Sequence, residues 1–348
     1  MSVLSFENDY IEGCHEKILE ALYKTNYEKL SGYGSDFYSE SAKKKIKSAL
    51  KCEDCDIFFL VGGTQTNQIV IDTMLDSHEG VISADTGHIS CHEAGAIEYT
   101  GHKIFSLPNN LGKIRSNDVE RLIVNFETDK NNSHMVAPKM VYISNPTEYG
   151  TLYSMNELTE ISSICRDHGL YLYLDGARLG YGLEAHTNDL DISDIARLCD
   201  AFYIGGTKIG ALCGEAVVFK KDAVPKAFVT KIKQHGALLA KGRLTGIQFD
   251  VLFTDELYFK ISRHAIEMAD KLKAIFLKEG FSLHIDSPTN QIFPIIDNDI
   301  YDELYEKVRF CYWEPAGCGK TVVRFATSWA TKEEDILTLA GILKDLKK

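Results

Sequence analysis

Two rhythms of apolar residues run along this chain, and the change between them divides it. From about residue 56 to residue 219, short apolar runs alternate with stretches whose apolar positions recur at helical spacing. DIFFLVGG, GVISADT, HKIFSLP, MVYISNP, LYLYLD, AFYIGG and GEAVVF read as strands. TQTNQIVIDTML, CHEAGAIEYTG, SNDVERLIVNF and SMNELTEISSICRDHG, set between the first five, read as helices. Strands that are apolar throughout are buried on both faces, so the alternation predicts an α/β fold with a large, mostly parallel seven-stranded sheet under helices. GEAVVF follows AFYIGG too closely for a helical crossover and is expected to run antiparallel.

The flanks read differently. Residues 14–30 and 40–51 have helical spacing, and a long helical region is predicted over roughly 222–279. FSLHID, QIFPIID, a helix DIYDELYEKVR, VVRFATSW and a closing helix KEEDILTLAGILKDLKK then form a small α+β unit. The boundary is expected near residue 250, giving a large domain over 1–250 with an N-terminal helical segment and a small C-terminal domain over 251–348.

Composition narrows the possibilities. With 45% hydrophobic and 25% charged residues, the 348-residue chain is ordinary for a globular protein and long enough for a large core. A net charge of −12 without an offsetting basic patch argues against nucleic-acid binding. Lys43-Lys44-Lys45 reads as a solvated helix face. No run reaches the roughly 20 apolar residues of a membrane span, and the start lacks the pattern of a secretory signal. The nine cysteines are odd in number and scattered, which predicts reduced thiols and a cytoplasmic location. Cys52 and Cys55 form a CxxC pair with no second pair at zinc spacing, and no metal site is expected. GCGKT at 317–321 ends like a phosphate-binding loop, but Glu314 stands where the first glycine is needed and a strand follows instead of a helix.

The candidate chemistry sits where apolar runs stop. LYLYLD ends at Asp175, with Arg178 three positions on, and AFYIGG leads to Lys208 among Gly205, Gly206, Gly210 and Gly214. Ligands gather at the carboxyl ends of strands in such sheets. A lysine and an aspartate there suit pyridoxal phosphate (PLP): the amine forms a Schiff base and the carboxylate keeps the pyridine nitrogen protonated. Gly62-Gly63-Thr64 reads as a glycine-capped helix start or a one-phosphate site. His88, after GVISADTG, is a structural histidine, a ring that stacks on a planar cofactor, or a proton carrier. Ser144-Asn145-Pro146-Thr147-Glu148 makes a turn that also sets polar side chains over the sheet end. Arg324, inside an apolar strand, needs an anion, either a structural carboxylate or a substrate's.

Taken together these segments resemble the low-specificity L-threonine aldolase family, within the β-eliminating lyases of PLP fold type I. The resemblance runs from SFENDY and Asp36-Phe37-Tyr38 through GGTQTNQ, DTGHIS, EAGAIEYTGHKI and SNPTEYGTLYS. It is strongest at LDGARLGYGL and GGTKIGALCGEAVVF and ends with KQHGALLAKGRLTGIQF and VVRFATSWAT. It implies an aspartate aminotransferase-like fold and an enzyme that cleaves threonine, allo-threonine or related β-hydroxy-α-amino acids to glycine and an aldehyde. Lys208 would carry the Schiff base, Asp175 pair with the ring nitrogen, Arg178 sit near the phenolic oxygen, and His88 stack on the ring and move protons. Gly63 and Thr64 would hold the phosphate with Lys241 of a neighbouring subunit. Arg324 and Asn8 would bind the substrate carboxylate, and Tyr38 would reach into the partner's site, in dimers paired into tetramers. Where many relatives have a histidine that contacts the substrate hydroxyl, this chain has Thr147-Glu148. Glu148 either accepts that hydrogen bond or marks a different substrate. PLP-dependent β-elimination or transamination of another amino acid is the alternative activity.

Overall fold

The computed structural model describes residues 3–346. Seven strands form one sheet in the order Asp56–Leu60, Glu215–Phe219, Ala201–Gly205, Tyr171–Asp175, Ala137–Ser144, Glu79–Ala84, Lys103–Leu107. All neighbours pair in parallel except Glu215–Phe219, which is antiparallel to the strands on both its sides, as its short connection requires. Six strands therefore end at the same edge, and the odd strand begins there. Register places Glu215 opposite both Gly205 and Leu60, and Ser144 opposite Asp175.

The pleat sorts side chains between two cores. Val141, Ile143, Leu172, Leu174, Phe202 and Ile204 pack into one cluster. Their alternates Met140, Tyr142, Tyr173, Ala201 and Tyr203 pack into the other, with Ile69, Val70, Ile71 and Met74 of the helix Gly63–Met74. Asp175 has the same parity as Tyr173, so this second face gathers three tyrosines around the end of its strand. A third cluster joins Phe276, Ile292, Phe325, Ile336 and Leu339 to Phe6 from the N-terminal segment. The helix Leu257–Lys278 ties the cores together: Tyr258, Ile261 and Ala265 belong to the first, and Met268, Leu272 and Phe276 to the third.

Local backbone explains where elements depart from the periodicity. The region over 222–279 is three helices, Phe228–Gln234, Arg243–Leu252 and Leu257–Lys278. Gly236 at φ 70° closes the first, and Asp255 and Glu256 at φ 52° and 58° separate the other two. The stretch after His88 is two single turns, His88–Cys91 and Ala96–Tyr99, because Ala94 and Gly95 adopt positive φ between them. FSLHID makes only an isolated bridge, Leu283 to Pro294. The resemblance of 317–321 to a phosphate loop is a hairpin: Cys311–Gly317 pairs with Lys320–Ala326, and Cys318 and Gly319 turn at φ 50° and 73°.

Helix Arg243–Leu252 lies against the start of helix Phe37–Leu50, and Gly246 is the point of closest approach. A Cβ there would meet Ser39, with its Cα at 2.8 Å and its N at 2.9 Å. Ser39 is buried and held by its cap, Asp36, so it has no room to retreat. Gly→Ala inside a helix ordinarily gains close to ~1 kcal/mol. Gly246→Ala is expected to do the reverse and lower stability by ~1–3 kcal/mol through overpacking, read as a fall in Tm by differential scanning calorimetry.

Candidate active site

Asp175 closes its strand in a buried position and is surrounded by donors. Tyr203 donates to Oδ1, which also accepts the Ala177 N–H at 3.0 Å. Oδ2 accepts from Tyr142 at 2.7 Å and from Asn67 Nδ2 at 2.9 Å. Burial by itself would raise this carboxyl, but the facing charge of His88 and the hydrogen bonds from Tyr203, Asn67 and Tyr142 prevail and hold it below the usual aspartate range. The result is a fixed negative charge at the sheet end.

Lys208 stands on the turn after the next strand. Glu215, buried at the start of the antiparallel strand, holds that turn: its Oε2 accepts the Gly206 N–H at 3.1 Å and its Oε1 the Thr207 hydroxyl at 2.8 Å. Burial and then the charge of Arg178 lower the Lys208 ammonium, against the pull of Asp9, Asp175 and Glu215. Burial raises Glu215 to about 8 despite Thr207 and Lys208. Arg178 is gripped by the fully buried Asp9 through two bonds, Nε to Oδ2 at 2.6 Å and Nη2 to Oδ1 at 2.9 Å. Asn290 adds a third donor to Asp9 at 2.9 Å.

His88 begins a one-turn helix after the strand Glu79–Ala84. Its Nδ1 lies 2.7 Å from Oε1 of the buried Glu93, and its backbone N–H donates to Glu148 Oε1 at 2.8 Å. Burial would lower His88, but Glu93 and Asp175 outweigh it and raise the imidazole above its ordinary value. Ser144 also donates to Glu148 Oε1, at 2.7 Å, while Oε2 is buried with no partner among the described residues. Burial raises Glu148 in spite of the Ser144 bond.

Gly62, Gly63, Thr64, His88, Glu148, Asp175, Arg178, Lys208 and Glu215 line one cleft of ≈ 760 Å³. His88, Glu148, Arg178 and Lys208 also line an adjoining space of ≈ 1300 Å³ that reaches Asn8, Tyr10, Trp313 and Arg324. Arg324 bonds Asn8 Oδ1, Gln291 Oε1 at 3.1 Å and the Glu7 carbonyl at 3.3 Å, with its guanidinium 5.6 Å from the Trp313 ring centre. Among the described residues its buried Nε has no partner and no carboxylate forms a salt bridge with it.

Residues 12–248 match the model of the β-eliminating lyase family. This chain belongs to that family. A threonine aldolase from Leishmania major is 45% identical to this lyase and superposes with a TM-score of 0.95 over 99% of each chain. A low-specificity L-threonine aldolase from a Pseudomonas species is 27% identical over 97% of this chain and 96% of its own length. An aspartate aminotransferase from Thermus thermophilus shares only 14% of residues, yet its TM-score is 0.72 over 99% of this chain and 91% of its own. The lyase therefore has the α/β fold of PLP fold type I, with a small C-terminal unit that carries antiparallel strands.

The lyase's own chain brings Lys208, Asp175, His88, Arg178, Gly63, Thr64 and Glu148 into the first cleft and Asn8 and Arg324 into the space beside it. It does not bring Tyr38 or Lys241 there. Tyr38 bonds both oxygens of Glu28 at 3.1 Å, and Lys241 is exposed. Asp9, Asn67, Glu93, Tyr142, Tyr203 and Glu215 also build the site and were not apparent from the sequence. Asn67 had a signal, lying one helical turn from Gly63, and so did Tyr142 and Tyr203, which by strand alternation share the face of Asp175. Asp9 had none, because its partner is 169 positions away. Among the described residues no group of three or more metal-ligating side chains converges. In the CxxC pair, the Cys55 thiol donates to the Cys52 carbonyl at 3.1 Å and is pushed up to about 12 by burial and then by Cys52, which makes it a poor ligand or nucleophile.

Burial would raise Asp9, but Arg178, Lys208 and Arg324 hold it down to about 2, below its ordinary 3.8. A depressed carboxyl contributes stability that is complete above 3.8 and is lost as pH falls toward 2. Asp9→Asn is therefore expected to cost ~2 kcal/mol at pH 7, with the gap to wild type closing below pH 3.8 in urea titrations run from pH 7 to pH 3.

Proposed function

We propose that this lyase is a PLP-dependent aldolase that cleaves L-threonine, L-allo-threonine and related β-hydroxy-α-amino acids to glycine and an aldehyde. The observation that carries the reading is one cleft in which a lysine of lowered basicity lies with a buried, permanently charged aspartate, next to an arginine that lacks an anion. The site fits the cofactor on its own chemistry. Lys208 would anchor it, Asp175 meet its ring nitrogen, Arg178 its phenolic oxygen, and His88 its ring face. The N–H groups of Gly63 and Thr64, at the start of a 12-residue helix, would hold its phosphate. Space beyond Gly62, where a Cβ would touch nothing within 4 Å, leaves room for that approach. When bound, the cofactor supplies an electrophilic carbon for the substrate amine and a ring that accepts the electrons of a bond broken at Cα.

The residues of the chain do the rest. Lowered basicity gives Lys208 a larger neutral fraction near pH 7, the form that bonds to carbon and exchanges with a substrate amine. Arg324 and Asn8 bind the substrate carboxylate, and the Trp313 ring shields that contact from water, where a charged hydrogen bond is strongest. His88 and Glu148 border the space left for the β-hydroxyl and are the groups placed to move its proton. Asp175 keeps its charge throughout, so its effect falls on the charge-separated transition state more than on binding.

Tyr38 and Lys241 serve the partner subunit's site in a homodimer or a tetramer built from dimers. Support comes from their position away from their own cleft and from the aromatic surface near them, where Tyr23, Tyr27, Tyr33 and Phe37 are all exposed. All nine cysteines are unpaired, which supports a reducing, cytoplasmic setting. Among the described residues no helix is long and apolar enough to cross a membrane.

Reconstitution with PLP is expected to give a yellow protein whose colour is lost on borohydride treatment, with label retained on Lys208. A panel of amino acids then distinguishes the products: glycine plus aldehyde for aldol cleavage, pyruvate plus ammonia for β-elimination, a keto acid for transamination. A Lys208→Ala protein that still cleaves threonine at the wild-type rate would sink the assignment. Arg324→Gln is expected to lower kcat/KM by roughly 10–100-fold, the equivalent of losing one charged hydrogen bond, mainly through KM.

A further inference from the structure

Beneath His88 the structure joins two carboxylates that would ordinarily repel each other. Asn67 Nδ2 donates to Glu93 Oε1 at 2.7 Å and to Asp175 Oδ2 at 2.9 Å. Both acids are buried, and two like charges sharing a site normally force one of them to keep a proton. The amide has a single workable orientation. Its Oδ1 accepts the Tyr173 hydroxyl at 2.8 Å, and a flipped amide would turn its carbonyl toward two carboxylates.

We propose that Asn67 is a positioning residue: its amide bridges Glu93 and Asp175 and holds the Glu93 carboxyl against His88 Nδ1, and through that contact it sets the charge and tautomer of His88. The two acids depend on it unequally. Asp175 has Tyr142, Tyr203 and the Ala177 N–H besides. Among the described residues Glu93 has only Asn67 and His88, both on Oε1, and no partner for its buried Oε2. Without Asn67, Glu93 is the acid left with a single partner, its Oε1 is no longer held toward Nδ1, and His88 loses that contact. The helix that begins at Gly63 thus carries the phosphate end of the site in its first turn and the link between its acids in its second. The roles of Asp175 and His88 in this inference rest on the aldolase reading; the link itself does not.

The test is a titration of the His88 ring by 15N NMR in the full chain without cofactor, so its outcome is separate from whether the wild-type chain binds PLP. The groups facing His88 are Glu93, Asp175 and Glu148 on the acidic side and Lys208 and His92 on the basic side. In wild type the ring is expected to titrate above 6.5. Asn67→Leu, similar in size but with no N–H, is expected to lower it by about one unit, a tenfold loss of proton affinity. In a Glu93→Gln background the same substitution is expected to change nothing further, because the anion that transmits the effect is gone. Tyr173→Phe removes only the hydroxyl that orients the amide and is expected to shift His88 the same way by a few tenths of a unit, which keeps the test decisive where Asn67→Leu fails to fold. An unchanged His88 titration in Asn67→Leu or Tyr173→Phe, or an equal shift with and without Glu93, overturns the proposal.

Discussion

The site is organised around one constraint, a negative charge kept deep in an apolar protein. Asp175 is buried where solvation is lost, and an ionised carboxylate there is costly unless every lone pair is answered. Two tyrosines, an asparagine and a backbone N–H answer it, and each comes from a different strand, helix or turn. Tyr142 and Tyr203 belong to the strands on either side, and Asn67 to the helix packed over them. The same contacts that make the carboxylate anionic therefore also hold the neighbouring strands, the helix Gly63–Met74 and the turn at Ala177 in register with one another.

A buried ion pair extends that logic to the small C-terminal unit. Asp9, near the N-terminus, grips Arg178 after the central strand and accepts from Asn290. The neighbouring residues Glu7 and Asn8 bond Arg324 on the strand Lys320–Ala326. A few residues at the start of the chain thus connect the large sheet to the small unit. Breaking either arginine's contacts leaves a charge without its partners, so the segment has little freedom to vary.

Much of this was legible in the sequence. Apolar runs separated by amphipathic stretches predicted the parallel sheet, and the short link before GEAVVF predicted its antiparallel strand. Residues that end apolar runs, Asp175 and Lys208, were visible because a charge at a strand terminus breaks a pattern. Helix ends in 222–279 and after His88 were not, because they depend on Asp255, Glu256 and Ala94 adopting left-handed backbone, which periodicity does not report. Glu215 and Glu93 were hidden for another reason. Each is a buried acid inside an apolar segment, and only its partners show that it is tolerated.

By itself the sequence determined the order of strands and helices, which chain ends meet the site, and the family to which the lyase belongs, since these depend on local periodicity and short motifs. The tertiary structure alone decided the protonation states. Whether Asp175 is anionic, Lys208 less basic, His88 more basic or Glu148 a weaker acid depends on burial and on charges as far apart in the chain as Asp9 and Lys208. A pKa is a property of three-dimensional surroundings, and those surroundings exist only once the strands have brought their ends together.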